Sequence, residues 1–372
     1  MKLREVCAVR YGKDHKRLRD GSIPVYGTGG IMRYADTALY HKKSVLIPRK
    51  GTLGNLFLAT EPFWTVDTLF YTEIDESLIV PEYLYYYLSS VDLAGMNVGT
   101  AVPSLTAAVL NEVDIDVRPL AEQRAIAGVL SALDAKIAVN AGIHGHLEAQ
   151  CMAIYRHLFM EEPKPDWEQG VLADLGEVVG GGTPSKARPE YYTERGLAWI
   201  TPKDLSVSGN KFIARGADDI TEPGRRSGGA RLMPPGTVLF SSRAPIGYMA
   251  VAAGELCTNQ GFKSVVPKAG VGTAFVYCFL KDRLSVIDGM ASGSTFREIS
   301  GAAMKRVPAV IPDSHTLARF AELCAPMFGH QAFLERESAC LVALRDALLP
   351  RLMSGELSAA GAVASALRCE ET

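Results

Sequence analysis

The 372-residue sequence lacks most features that mark an enzyme, a secreted protein or a membrane protein. It has no run of about 18 apolar residues, so no membrane span is expected. Its first ten residues, MKLREVCAVR, lack the apolar stretch of a secretory leader, and the expected location is the cytoplasm. The seven cysteines, Cys7, Cys151, Cys257, Cys278, Cys324, Cys340 and Cys369, are odd in number and never spaced C-x-x-C. That argues against a disulfide framework or a zinc cluster and predicts reduced thiols packed as small apolar groups. No metal site is expected: His144 and His146 lie two apart, on different faces of a helix.

Catalytic motifs are missing as well. There is no G-x-x-x-x-G-K-[ST], H-E-x-x-H or G-x-S-x-G. Gly180-Gly181-Gly182 precedes Thr183-Pro184-Ser185-Lys186 without the frame of a phosphate loop, and Gly27-Thr28-Gly29-Gly30 misses the dinucleotide pattern. The only Pro-Pro, Pro234-Pro235, is followed by Gly236 and not by the aromatic residue of a DNA amino-methyltransferase. The chain is therefore expected to be non-catalytic and to hold no cofactor of its own.

Charge of one sign is not in excess overall, since the net charge is −2 with 22% charged residues. Locally it is segregated. Residues 1–60 hold twelve Lys/Arg against four Asp/Glu, and residues 61–120 hold one Arg against ten acids. Such segregation either makes a basic surface on a neutral protein or gives two faces that pair with each other.

What the sequence does contain is a repeat. SVLIPRKGTLGNLFLA (44–59) lies over TVLFSSRAPIGYMAVA (237–252) at a shift of 193. Val45-Leu46 meets Val238-Leu239, Lys50 meets Arg243, Gly54 meets Gly247 and Thr65 meets Thr258. Gly99-Thr100 lies over Gly293-Ser294 at 194, while LREV (3–6) lies over LADL (172–175) at only 169. The second copy thus carries about two dozen extra residues, placed between Gly180 and Pro235. Short apolar runs bounded by Gly and Pro predict paired strands at VLIPRKG/GNLFLAT and TVLFSSR/YMAVAAG. YLYYYLSS (83–90) and FVYCFLKDRLSVI (275–287) predict matching helices.

Each copy is followed by a long helical stripe. Ile126, Leu130, Leu133, Ile137, Asn140, His144, Leu147, Cys151, Ile154 and Leu158 alternate spacings of four and three, the pattern of a coiled-coil seam. Asn140 and His144 interrupt it; His144 reads either as a register-setting polar residue or as a partly exposed one beside Gly142 and Gly145. The second stripe runs Phe320, Leu323, Met327, His330, Leu334, Glu337, Leu341, Leu344 and Leu348, with Pro326 predicting a kink or a late helix start. The economical packing sets the two stripes against each other as an antiparallel coiled coil with pseudo-twofold symmetry, the rival being an ordinary bundle core. The fold class expected is a duplicated α/β (α+β) domain, each copy followed by a long α-helix. After Gly355 the Ala/Ser-rich chain reads as a flexible tail.

Basic and small polar loop residues recur in both copies. The first offers Lys16, Arg17, Arg19, Thr28, Lys42, Lys43, Arg49 and Lys50, with His15 beside them. The second offers Thr183, Ser185, Lys186, Arg188, Lys203, Arg225, Arg226, Arg243 and Arg297. Lys and Arg neutralise phosphates, and Arg can pair with guanine, so these are candidate DNA contacts. Tyr26, Tyr34 and Trp199 add flat groups with a polar edge.

With these pieces in order, the chain resembles the specificity subunit of a type I restriction-modification system over about residues 1–356. IPVYGTGGIMRYADTALYHKKSVLIPRKGTLG with FWTVDTLFYTEI resembles one kind of target-recognition domain. GGGTPSK, YYTERGLAWITPKDLS, TVLFSSRAPIG and TNQGFKSV resemble another. PLAEQRAIAGVLSALDAKI and LRDALLPRLMSGEL resemble the spacer helices. The resemblance implies recognition domains at 1–118 and 163–312, spacer helices at 119–162 and 313–356, and a tail at 357–372. It implies that each domain reads half of a split DNA target while the helix pair sets the unread gap. The implied partners are double-stranded DNA, two methyltransferase subunits carrying S-adenosylmethionine, and restriction subunits using ATP and Mg. A related system with a fused nuclease-methyltransferase partner would use a similar chain. Ser314-His315-Thr316-Leu317-Ala318 departs from Leu120-Ala121-Glu122-Gln123-Arg124 at the start of the second linker. A lone nuclease would need carboxylate clusters, and a scaffold binding only protein would not need the basic N-terminal region.

Overall fold

A computed structural model describes residues 1–99, 102–293 and 297–361. The chain divides into two compact units, Met1–Ala138 with Ala339–Thr372, and Val139–Ser338.

The first unit opens with α1 (Leu3–Val6), β1 (Cys7–Tyr11), the β2–β3 hairpin (Asp20–Gly27, Gly30–Ala35), β4 (Ser44–Pro48), β5 (Phe57–Ala59), β6 (Trp64–Thr65) and β7 (Leu69–Ile74). Then come α2 (Pro81–Ser89), α3 (Ala107–Asn111) and α4 (Leu120–Arg156), the last entering the second unit. Strands β1-β7-β4-β5 form one sheet and β3-β2-β6 another. Every residue of β4, SVLIP, is buried, as a central strand covered on both faces requires. Val45, Ile47 and Phe70 meet Tyr83, Leu84 and Leu88 of α2 in the main core.

The second unit repeats this plan. It contains β8 (Glu168–Val171), α5 (Leu172–Leu175), β9 (Gly176–Gly180), β10 (Tyr192–Thr193), β11 (Leu197–Ile200), α6 (Pro202–Ser208), β12 (Phe212–Ile213), β13 (Asp218–Ile220) and α7 (Glu222–Gly228). β14 (Val238–Ser242), β15 (Ile246–Ala252), β16 (Cys257–Thr258), β17 (Lys263–Pro267), α8 (Thr273–Asp282), α9 (Leu284–Gly289), α10 (Gly301–Lys305), β18 (Pro308–Ile311) and α11 (Ser314–Ser354) follow, the last belonging to the first unit from Ala339 onward. The order β12-β15-β14-β17-β9 contains the four-strand order of the first unit, strand for strand.

The register of the pairing is conserved between the units. Cys7 faces Ile74 and Tyr11 faces Phe70; Gly176 faces Pro267 and Gly180 faces Lys263, at shifts of 169 and 193. Val45 faces Leu58 and Val238 faces Val251, both shifted by 193. Val25 and Tyr26 run parallel to Trp64 and Thr65, as Trp199 and Ile200 do to Cys257 and Thr258. The shift thus climbs from 169 through 174 to 193, and most of the extra chain falls between β11 and β14, where β13 takes the place of β3 and α6, β12 and α7 have no counterpart in the first unit. Equivalent caps start α3 and α10: Thr106 accepts from Val109 N at 3.2 Å and Ser300 from Ala303 N at 3.1 Å.

The long helices contact each other in opposite order within each unit. In the first, Arg118 donates to the Met353 carbonyl at 2.6 Å and Arg345 to Asp134 at 2.7 Å. Ile126 and Leu130 are buried with Leu348 and Leu352. In the second, Asn140 donates to Glu337 at 2.7 Å, Gln331 to the His144 carbonyl at 3.1 Å, and the Tyr155 and Phe320 rings lie 6.1 Å apart. Asn140 is a buried polar residue on this contact line, and His144 is half-buried with Nε2 3.0 Å from Glu335.

Several expectations need correcting. α11 neither starts late nor stops at Pro326 but runs unbroken from Ser314. Asp313 caps it, accepting from Thr316 N at 2.9 Å. Its contact line departs in part from the one read in the sequence: Leu323 is 41% exposed and His330 is exposed, with Cys324, Phe328 and Gln331 buried nearby, while Phe320, Leu334 and Leu348 are buried as expected. In α4 Tyr155 is buried, and its neighbour Ile154 is partly buried against the same core. The helix expected over 275–287 is broken at Arg283 into α8 and α9. Five described cysteines are buried but Cys340 is exposed, and Cys369 lies outside the described residues. Leu120–Glu161 holds an 18-residue window of mean hydropathy 1.4, long and apolar enough by composition to cross a membrane. Its Ile126, Leu130, Cys151 and Phe159 instead lie in protein cores. Leu357 and Ala359, expected in the tail, pack against the first unit's core, while 362–372 lie outside the described residues, as do Thr100 and Ser294.

Candidate nucleic-acid interface

Each unit has an open cleft at the same place in its fold, where the two sheets meet. The junction is made by a glycine that follows β1 in the first unit and β9 in the second. Gly12 N donates to Leu69 O at 3.0 Å and Lys13 N to Thr65 O at 2.8 Å. Their counterparts Gly181 and Gly182 donate to Phe262 O at 3.4 Å and Thr258 O at 2.9 Å. A Cβ on Gly12 would lie 2.0 Å from the Val66 carbonyl oxygen, and one on Gly181 1.8 Å from that of Asn259. Both positions therefore demand glycine through close backbone approach. An indole closes each junction: Trp64 Nε1 donates to Lys13 O at 2.9 Å and Trp199 Nε1 to Gly182 O at 3.0 Å.

The first cleft, about 550 Å³, is lined by Asp14, His15, Lys16, Gly27, Thr28, Gly29, Met32 and the 66–68 turn. Asn55 holds its wall, donating to the Thr28 carbonyl at 2.7 Å. His15 Nδ1 is shielded from solvent without a hydrogen-bond partner among the described residues. The second cleft is larger, about 800 Å³, and the inserted α6 and β12 with the turn before β13 build one wall. Thr183, Lys186, Thr201, Lys203, Asn210, Arg215, Asn259 and Gln260 are among its lining residues.

The charge segregation resolves partly as pairing and partly as exposed basic residues. Lys2 meets Asp114, Arg4 meets Glu112, Arg10 meets Glu73 and Lys43 meets Glu82. Lys13, Lys16, Arg17, Lys42 and Lys50 are exposed and make no ion pair among the described residues. Of the candidates in the first unit, Lys16 and Thr28 line the cleft and Arg17 adjoins it. Arg19 is paired with Asp36 at 2.8 Å, and Arg49 reaches Asp67 at 4.0 Å beneath the Tyr11 ring. Lys42, Lys43 and Lys50 lie away from the lining.

In the second unit Thr183, Lys186 and Lys203 line the cleft, with neither lysine ion-paired among the described residues; Ser185 and Arg188 flank them on the exposed loop. Four other candidates are engaged elsewhere. Arg225 and Arg226 hold Glu222 at 2.7 and 2.8 Å, pulling its carboxyl down to about 2. Arg243 lies 3.3 Å from Glu298, and Arg297 2.9 Å from Asp288. Among the flat groups, Tyr34 is 52% exposed but Trp199 is only 3% exposed and serves the junction. Sequence reading did not name Asn210, Arg215, Asn259 and Gln260 as candidates, although Arg215 is basic and Asn259-Gln260 lie within TNQGFKSV. The repeat shift of 193 places Asn259 and Gln260 over Val66 and Asp67, a signal that could have found those two, whereas Asn210 and Arg215 lie in the extra chain without a counterpart.

These clefts can be set beside known proteins. The family model of the type I restriction modification DNA specificity domain matches residues 1–149 and 164–316. The chain is 41% identical over 149 residues to the specificity subunit of the type I restriction enzyme MjaIX of Methanocaldococcus jannaschii, covering 40% of this chain and 34% of that one. It is 26% identical over 194 residues to the HindI specificity subunit of Haemophilus influenzae, covering 51% and 42%. The aligned stretches thus span less than half the length of these relatives. The crystal structure of the type I restriction-modification S subunit from M. genitalium covers 95% of both chains with a TM-score of 0.64 at 16% identity, a shared fold.

Proposed function

Since this chain belongs to the family of type I restriction-modification DNA specificity domains, we propose that it is the sequence-reading subunit of such a system. It recognises a two-part, asymmetric DNA target and catalyses nothing itself. The observation that carries this reading is the pairing of one conserved scaffold with two unlike clefts. Strand order, register, glycine junction and indole brace recur in both units, whereas the cleft walls differ in length and chemistry. A duplicated scaffold with divergent loops suits two half-sites of different sequence.

In this reading residues 1–118 and 163–312 are the recognition domains. Residues 119–162 and 313–356 are spacer helices whose antiparallel pairing sets the unread gap. The unpaired Lys16, Arg17, Lys186 and Lys203 neutralise phosphates at the cleft mouths, releasing counterions and holding the duplex in register. Two methyltransferase subunits bring S-adenosylmethionine to adenines in the target, restriction subunits bring ATP-dependent cleavage, and the assembly works in the cytoplasm. The test is reconstitution. The chain alone is expected neither to methylate nor to cleave DNA; with its modification subunit and S-adenosylmethionine it directs adenine methylation to one split motif. Methylation by the chain alone, or methylation without a split motif, would refute the proposal.

A further inference from the structure

The turns between β6 and β7 and between β16 and β17 occupy the same place in the two units, and each lines its cleft with an exposed polar side chain at the tip. In both the backbone is held on either side. Val66 N donates to Tyr26 O at 3.0 Å and Leu69 N to Val66 O at 3.0 Å. Asn259 N donates to Ile200 O at 2.9 Å and Phe262 N to Asn259 O at 3.2 Å. The Val66 and Asn259 carbonyls rest on Gly12 and Gly181. In the second unit Asn259 Oδ1 also accepts from Gly261 N at 2.9 Å. The residue at each tip, Asp67 or Gln260, is exposed and lines its cleft.

The two tips differ in hydrogen-bonding chemistry. The Asp67 side chain is 70% exposed and its nearest cation is Arg49 at 4.0 Å. The Gln260 amide makes no hydrogen bond among the described residues, although its backbone N–H donates to Thr183 Oγ1 at 3.4 Å. A carboxylate facing DNA is repelled by phosphate, so Asp67 suits a donor on a base edge. It can only accept, which matches the exocyclic amine of cytosine and conflicts with the N7 acceptor beside the amine of adenine. Gln260 accepts and donates, which matches the adenine N6/N7 edge bidentately.

Resting on the functional reading above, we propose that Asp67 and Gln260 are equivalent base-reading residues. Asp67 accepts a hydrogen bond from a cytosine in one half-site, and Gln260 pairs with an adenine in the other.

The near-isosteric Asp67→Asn and Gln260→Glu variants test this in the full chain assembled with its modification subunit, with adenine methylation mapped genome-wide. Both side chains are exposed, so melting temperatures are expected to match the unaltered chain and to separate reading from folding. For Gln260→Glu, preference for adenine at one position of one half-site drops by roughly 5- to 100-fold, the other half unchanged. For Asp67→Asn, preference for cytosine drops similarly in the opposite half. Unchanged motifs in both variants, or a uniform loss across every position, would overturn the assignment while leaving the split motif of the unaltered chain intact. Absence of a split motif in the unaltered assembly would overturn both the assignment and the functional reading beneath it.

Discussion

Lys211 Nζ lies 2.6 Å from Glu148 Oε2, with Gln331 Oε1 at 2.8 Å and the centre of the Phe328 ring at 3.4 Å. The pair joins the inserted segment of the second unit to both long helices, since Glu335 of α11 also accepts from the backbone N–H groups of Lys211 and Phe212. Burial lowers the Lys211 ammonium, and Glu148 offsets that. Burial raises Glu148, but Lys211 and Lys281 outweigh it and bring the carboxyl to about 2.

Breaking this pair strands a buried ammonium. Glu148→Gln is expected to destabilise the protein by about 3–5 kcal/mol at pH 7, whereas Glu148→Leu with Lys211→Met loses less, because no uncompensated charge remains. Urea unfolding of the three proteins measures the difference. A double variant worse than the single one would show that the contact stabilises mainly through its charge pair.

The same pair predicts an acid limb. The folded pKa of Glu148 is depressed below its ordinary 4.5 to about 2, so its contribution is complete above 4.5 and is lost as pH falls toward 2. Urea midpoints measured from pH 6 to pH 3 should therefore fall less steeply in Glu148→Gln than in the unaltered chain.

Gly12→Ala and Gly181→Ala should each destabilise by at least about 2 kcal/mol, because the new methyl meets a backbone carbonyl that cannot step aside. Gly142 in α4 has nothing within 4 Å of its Cβ position, and Gly142→Ala should gain up to about 1 kcal/mol of helix propensity. Thermal melts of all three variants check the contrast.

For DNA binding, Lys16→Ala and Lys186→Ala should each weaken binding on all sequences and lower the salt slope by about one unit. Arg243→Ala should change the slope less, because Arg243 is held by Glu298. Titrations at several salt concentrations, with the modification subunit present, give the slopes; equal effects of all three would argue against the clefts as phosphate sites.

The spacer reading makes a geometric prediction. Four residues inserted beside Asn140, matched by four beside Glu337, add about 6 Å at 1.5 Å per residue and keep the contact line nearly in phase. The gap between methylated half-sites should grow by about one or two base pairs at 3.4 Å each. Matched two-residue insertions turn the helices by about 200°, and assembly should fail. Methylation mapping reads both outcomes, and an unchanged gap after the four-residue insertion would end the spacer reading.

Sequence alone determined the duplication, the strands around β4 and β14, and the long helices after Pro119 and Pro312. Those depend on local periodicity and on internal likeness, which survive without a partner in space. Tertiary structure decided which residues face what. Pro326 did not break α11, because a proline costs one helical hydrogen bond and tertiary packing can outweigh that. The contact line moved from Leu323 and His330 to Cys324 and Gln331, since threes and fours in a sequence allow several phases and packing selects one. Trp199 went inward because its indole N–H found the Gly182 carbonyl. Charge gave the least reliable guide: a Lys or Arg in the sequence carries no record of whether an acid lies beside it. Lys16 and Lys186 remain unpaired among the described residues, while Arg225, Arg243 and Arg297 are taken by Glu222, Glu298 and Asp288. Ion pairing between distant segments depends on distances that only the folded chain sets.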